Sequence, residues 1–236
     1  MDWIQRIDVG IVEAFNTLAR KSIVFDKIVV MFEANSLLKT GLVVGLLCYS
    51  WFSIRDRETT RRLVIRTLLA AFLAVVVARV ANRALPARLR PIHDPALQLQ
   101  LVYGLERDSH EGRSSFPSDH AVLLCTVATG LWSISRRYGI VAFAWTLLAV
   151  FAVRVYTGLH YPSDILAGAI LGIGIMWLVL RDQRFTPKIV DRLMAIESRS
   201  TALFYTTAFF IMWQVATLFA ELRNLTWVLA TLGTRG

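Results

Sequence analysis

The chain has 236 residues, enough for one domain of ordinary size. Hydrophobic residues make up 56% of it and the mean hydropathy is +0.53, a balance that favours a membrane protein over a soluble one. The formal charge is +9, from 26 Lys and Arg against 17 Asp and Glu; it is divided among several loops rather than gathered into one stripe, which argues against a nucleic-acid binder and for membrane-flanking cations or an anionic substrate.

From the N-terminus, Trp3, Ile4, Ile7, Ile11 and Phe15 recur at helical spacing, so residues 3–19 are expected to form an amphipathic helix lying in the membrane interface. Asp2, Arg6, Asp8 and Glu13 interrupt these apolar residues, so no cleavable signal peptide is expected. Arg20, Lys21, Asp26 and Lys27 should keep the next stretch out of the hydrocarbon. A bilayer core of about 30 Å takes roughly 20 apolar residues of helix. Six segments fit: 36–54, 64–82, 119–134, 139–157, 164–180 and 202–221. The apolar pieces 96–104 and 224–232 are too short to span, and the first reads as part of a long surface loop. The expected fold is therefore all-α: one polytopic transmembrane helical bundle of about six spans over residues 1–236, with an N-terminal interfacial helix. Cys48 and Cys125 sit inside apolar runs and are expected to serve packing; no Cys or His spacing suggests a metal.

Arg55, Arg57, Arg61 and Arg62 follow the first span, Arg136 and Arg137 the third, and Arg181, Arg184, Lys188 and Arg192 the fifth. Alternation of spans puts all three groups on one side, which the positive-inside rule makes cytoplasmic. The connections 83–118 and 158–163 then face outward. They and their flanks hold all four histidines, His93, His110, His120 and His160, and a second set of arginines, Arg83, Arg88, Arg90, Arg107 and Arg113. Arginines on that side run against the rule, so they are expected to have another task.

Three short sequences on this face carry chemistry. In Arg154–Asp164 (RVYTGLHYPSD), Pro162 suits the first turn of a helix, which places Asp164 in that turn and His160 just before it. A carboxylate there can reach back to the imidazole, fix its tautomer and prepare it as nucleophile or base, or merely cap the helix. In Phe116–His120 (FPSDH), Ser118 is a natural N-cap; free N–H groups there can bind an anion, with His120 placed to donate to a leaving oxygen. In Arg83–Pro91 (RALPARLRP), Arg83 and Arg90, together with Arg154, can surround phosphate oxygens, or simply snorkel to headgroups.

Taken together, Arg83-x6-Arg90-Pro91, Pro117-Ser118-Asp119-His120 and Arg154-x5-His160-x3-Asp164 resemble the three signature motifs of the type 2 phosphatidic acid phosphatase superfamily, over a core of about residues 64–180. The resemblance implies a cofactor-free, metal-independent lipid phosphatase working through a phosphohistidine: His160 attacks phosphorus, Asp164 orients it, His120 serves as acid and then base, and Arg83, Arg90, Arg154, Ser118 and Asp119 line the phosphate pocket. These roles imply a bell-shaped pH profile. The chain departs from the family pattern at Arg83, usually Lys; at Asp119, usually Gly; and at Val153, usually Ser. An Asp in the second motif resembles bacterial isoprenoid diphosphate phosphatases, so undecaprenyl diphosphate is the expected substrate and the bacterial inner membrane, site outward, the expected location. The alternatives are phosphatidylglycerophosphate or phosphatidic acid as substrate, phosphate transfer between lipids, and a non-enzymatic lipid or anion transporter. The last is disfavoured by the lack of ionisable residues deep in the spans between 119 and 180. Residues 96–104, through Leu99 and Leu101, are a candidate support for the lipid chain.

Overall fold

A computed structural model describes residues 3–53, 56–109, 111–112 and 114–217, and these are helical with no strand. The expectations for Arg55, His110, Arg113, the end of the last span beyond residue 217 and the tail 224–232 lie outside the described residues.

Helix α1, Trp3–Asn16, is amphipathic as its spacing requires, but it is more than an interfacial float. Its inner stripe, Val9, Val12 and Phe15, packs with Ala121, Val155, Tyr161 and Ile165 around the site, and its Asp8 is buried. Helix α2, Ile23–Ala34, begins at a Ser22 cap and meets α3, Ser36–Ser53, at a 59° bend. Asn35 makes the break: its Oδ1 accepts from Leu37 N at 2.9 Å and Leu38 N at 3.2 Å and so starts the second helix. The stretch expected to stay outside the hydrocarbon thus supplies half of a bent pair that is apolar enough to cross together with α3. The charges do not prevent this: Asp26 and Glu33 face protein rather than lipid, and the exposed Lys27 stands near the helix start, where its stem can reach the interface.

Helices α4 (Arg57–Ala84), α5 (Asp119–Ile134), α6 (Arg136–Tyr156) and α7 (Pro162–Arg181) form the centre. α6 carries a π-helical turn at Leu147–Ala152, and α4, α6 and α7 are each long and apolar enough to cross a membrane. With the bent pair that makes four; α5 and α9 (Thr201–Ala216) are shorter apolar helices. At 1.5 Å per residue α5 covers only about 24 Å, but it is buried by α4, α6 and α7 along most of its length, so lipid does not set its length. Helix α8, Thr186–Arg199, was not apparent as an element; it turns Val190 inward and ties to the start of α4 through Arg61–Glu197 at 3.2 Å. The protein is an integral membrane protein built as a helical bundle.

Small residues set the register of the centre. A Cβ on Gly168 would lie 2.6 Å from the Ser118 carbonyl, and one on Gly172 2.2 Å from the Val122 carbonyl. Only glycine lets α7 approach α5 this closely, and Thr126 Oγ1 closes the contact on the Gly172 carbonyl at 3.0 Å. The start of α5 is thereby locked to the first turn of α7, where Ser118 N donates to the Asp164 carbonyl at 3.2 Å. Cys125 is in this packed centre, whereas Cys48 is exposed on α3, so the packing expectation holds for one cysteine only; both are free.

Candidate active site

The long connection after α4 is pinned across the connection between α6 and α7. Ser115 N donates to the Arg88 carbonyl at 2.9 Å, and Ile92 N to the Gly158 carbonyl at 2.9 Å. Pro91 starts a single 3-10 turn that brings Arg90 inward. Gly158, at φ +67°, turns the chain from α6 toward His160; a Cβ there would also crowd Leu99 and Ile92.

His160 is almost fully buried. Its Nδ1 lies 2.8 Å from the Ser115 carbonyl, and its Nε2 3.2 Å from Arg90 Nη1. A guanidinium can only donate, so Nε2 carries the lone pair and Nδ1 the proton. Asp164, expected to hold that proton, is 3.7 Å away, beyond hydrogen-bond length. Its carboxylate is taken by Tyr161 N at 2.9 Å and Arg88 Nη1 at 2.6 Å, so a backbone carbonyl orients the imidazole and Asp164 acts on it through space. Burial, with the charges of Arg154 and Arg90, pushes the His160 imidazole down to about 4, although Asp164 pulls the other way.

His120 repeats the arrangement. Its Nε2 lies 3.1 Å from Arg154 Nη2 and its Nδ1 3.0 Å from Asp119 Oδ1. The same Oδ1 accepts from His120 N at 2.9 Å. Asp119 therefore stands as the anion at the N-terminus of α5 and pairs with the imidazole. That explains how a carboxylate is tolerated beside a pocket for anions, and it corrects the expectation that this helix start offers its amides freely. Ser118 is the N-cap by position, but its hydroxyl makes no capping bond. Its buried Oγ has no partner among the described residues, and Ser118 does not itself line the cavity, whereas its neighbours Pro117 and Asp119 do.

Arg90 donates to the Leu159 carbonyl at 2.8 Å. Burial and the Arg154 charge bring its guanidinium down to about 10, still a cation at neutral pH. Arg83 differs from Arg90 and Arg154: it is exposed at the end of α4. It lines the cavity without a side-chain hydrogen bond or ion pair to a described residue. The cavity, of about 670 Å³, joins Arg83, Arg90, Asp119, His120, Arg154 and His160.

Several residues of the site carry no short motif. Arg88 links two carboxylates, Asp164 and, at 2.7 Å, Asp8 of α1, which also accepts from Ser163 N at 2.9 Å. Burial alone would lower the Arg88 guanidinium, but the two carboxylates more than offset that and raise it. From the break between α2 and α3, Glu33 and Lys39 reach the same cavity, with Glu33 Oε1 3.5 Å from Arg154 Nη2. Lys39 had a signal, a cation inside an apolar span; Asp8 had only its interruption of an apolar stripe. Leu99 packs near α1 and Gly158, and neither it nor Leu101 lines the cavity; of 96–104 it is Gly104 that does. His93 lies apart, against the Arg107 carbonyl at 2.9 Å.

The bundle and its site define a class: a polytopic membrane protein with two arginine-faced imidazoles lining one cavity. The chain belongs to the PAP2 superfamily, whose description matches residues 64–187. It is 34% identical over 135 residues, 56% of this chain, to the Bacitracin transport permease protein BcrC of Bacillus licheniformis, and spans 60% of that protein. It is 29% identical over 171 residues, 67% of this chain, to the Lipid A 1-diphosphate synthase of Escherichia coli K12, spanning 66% of it. It is 30% identical over 135 residues, 55% of this chain, to the Undecaprenyl-diphosphatase of Sulfolobus acidocaldarius, spanning 60% of it. The chain thus covers a little under two thirds of the length of each.

Proposed function

We propose that this protein is a metal-independent lipid phosphatase that removes the terminal phosphate of an isoprenoid diphosphate such as undecaprenyl diphosphate, through a phosphohistidine on His160. The observation that carries the reading is the pairing of each imidazole Nε2 with a guanidinium. In the free protein the lone pairs are held by Arg90 and Arg154. A phosphate entering the cavity offers those arginines better acceptors, in bidentate geometry. Its arrival frees Nε2 of His160 at the phosphorus. His160 attacks; the buried Asp164 favours the positive charge the ring gains; Arg90 and Arg154 hold the equatorial oxygens, with Arg83 at the rim. His120, supported by Asp119, serves the leaving oxygen and then takes a proton from the water that cleaves the phosphohistidine.

The similarity to an undecaprenyl-diphosphatase favours the isoprenoid. The site lies at the ends of α4, α6 and α7 opposite Arg61, Arg62, Arg136 and Arg181, and the positive-inside rule supports an outward-facing site, which in a bacterial inner membrane is the periplasmic face. A second reading, phosphate transfer to another lipid, draws on the similarity to a lipid A diphosphate synthase. The test is phosphate release by the detergent-purified protein, with EDTA present, from undecaprenyl diphosphate and phosphatidylglycerophosphate in parallel, with His160→Ala as control. Release from the isoprenoid, lost in the variant, is expected. Release from the glycerolipid alone would discard the substrate; lipid turnover without free phosphate would favour transfer; equal activity in the variant would remove the mechanism.

A further inference from the structure

Lys39 stands inside a span, yet it is 5% exposed and points into protein. Its Nζ donates to the Glu33 carbonyl and lies 3.9 Å from Glu33 Oε1. That same oxygen is 3.5 Å from Arg154 Nη2, which in turn is 3.1 Å from His120 Nε2. One carboxylate oxygen therefore joins Lys39 to the guanidinium beside the histidine that serves the leaving group. All four side chains line the cavity.

Burying ions costs several kcal/mol each unless they are paired, and charged residues within spans mark substrate paths. Here two buried cations, Lys39 and Arg154, share the Glu33 carboxylate, while the Asp119 carboxylate nearby is taken by His120, so among the described residues neither cation has a carboxylate to itself. His160 and Arg90 line the same cavity and receive the phosphorus under attack. We propose that the break between α2 and α3 is a second phosphate subsite, with Lys39 as its ligand, that takes the lipid-side phosphate of a diphosphate while the terminal phosphate sits on Arg90, Arg154 and His160. This rests on the hydrolase reading and narrows its substrates to lipid diphosphates over lipid monophosphates.

The chemistry of the leaving group gives Lys39 its use. His160 Nε2 forms a bond to the terminal phosphorus, the bridging P–O bond breaks, and its electron pair stays on the lipid monophosphate. That product has a second ionisation near pH 6 and can depart as an anion, so it needs a cation more than a proton. Water then adds to the phosphohistidine phosphorus; the P–N bond breaks, its electron pair returns to Nε2, and orthophosphate and one proton are released. A glycerolipid monophosphate instead expels an alkoxide, which must be protonated, and makes no use of a second cation. Lys39 has a flexible stem and three donors, and can exchange the Glu33 carbonyl for a phosphate oxygen.

Two measurements on the full-length protein in detergent test this. The first compares kcat/KM for undecaprenyl diphosphate and phosphatidic acid in the same micelles; Lys39→Met should lower the first at least tenfold more than the second. The second is calorimetric binding of inorganic pyrophosphate and orthophosphate; Lys39→Met should weaken pyrophosphate at least tenfold and orthophosphate less than threefold. Equal losses on both lipids, or equal losses on both anions, would overturn the subsite. If the wild type cleaves neither lipid, the hydrolase reading fails, and calorimetry alone decides whether Lys39 selects the diphosphate. Should Lys39→Met not fold, Lys39→Arg retains the buried charge but changes its reach; it should shift the ratio of the two anion affinities more than threefold, and an unchanged ratio would count against the proposal.

Discussion

The core helices α4–α7 and the N-terminal helices α1–α3 contribute to the same cavity in different ways. The core supplies both imidazoles and the arginines that face them, all on connections or first and last turns. The N-terminal helices supply buried charges that hold those groups. Asp8 holds Arg88, which holds Asp164. Asp26 accepts from Arg20 N at 3.1 Å, Tyr103 N at 2.9 Å and the Tyr156 hydroxyl at 2.5 Å, and so fixes the residue two beyond Arg154. Glu33 meets Arg154 itself. A reaction centre can thus be compact in sequence while the frame that orients it is not.

The comparison breaks most sharply at His160. His160→Ala should reduce phosphate release by roughly a thousandfold or more, since in this reading the His120 lone pair serves the leaving oxygen and the water rather than phosphorus. A variant with more than a few per cent of wild-type turnover would move the nucleophile elsewhere. Next comes the link between the two regions. Asp8→Asn removes one of the two carboxylates that share Arg88, so the guanidinium settles wholly on Asp164 and cancels the charge that favours the phosphohistidine. We expect kcat to fall about 10- to 100-fold, with KM within threefold and partial recovery in Asp8→Glu. An unchanged kcat would leave α1 as packing alone.

The core was legible because its signals are local. A Pro at the first turn of α7, a Ser before an apolar run and arginines at span ends each follow from rules that act within a few residues, and α5 begins and ends at the residues the apolar run marks. What was not legible depends on distant partners. Arg20, Lys21, Asp26 and Lys27 read as a solvated stretch, yet Asp26 is fully buried because it points at Tyr103 and Tyr156 rather than at lipid. The pairing of Asp164 with His160 follows naturally from their spacing, but Arg88 and Tyr161 N are closer competitors for the carboxylate. Asp119 departs from the family pattern, and what accommodates a carboxylate there, the proton on Nδ1 of His120, is a matter of rotamer and not of spacing.

A smaller effect sharpens the supporting role of α2. Asp26→Asn retains one acceptor oxygen but loses the charge that three donors converge on, and should destabilise the fold by about 2–3 kcal/mol. A lowered Tm with kcat preserved in the folded fraction is the expected result; a lost kcat at unchanged Tm would make Asp26 part of the reaction centre instead.

The gentlest test is the pH dependence of stability, and its sign follows from His160. Unfolded, this histidine takes up a proton near pH 6.5; folded, it remains neutral down to about 4. Between those values the unfolded state binds more protons, so the stability present above pH 6.5 falls as the pH is lowered, by at most about 1.4 kcal/mol per unit, and levels off below 4. His160→Gln should flatten this part of the curve. The same displacement separates two kinetic profiles. The acid limb of kcat/KM reports the free protein and should lie well below 6.5, whereas that of kcat reports the complex, in which a phosphate dianion beside the ring raises the imidazole again. Coincident acid limbs would mean that the bound phosphate does not sit against His160.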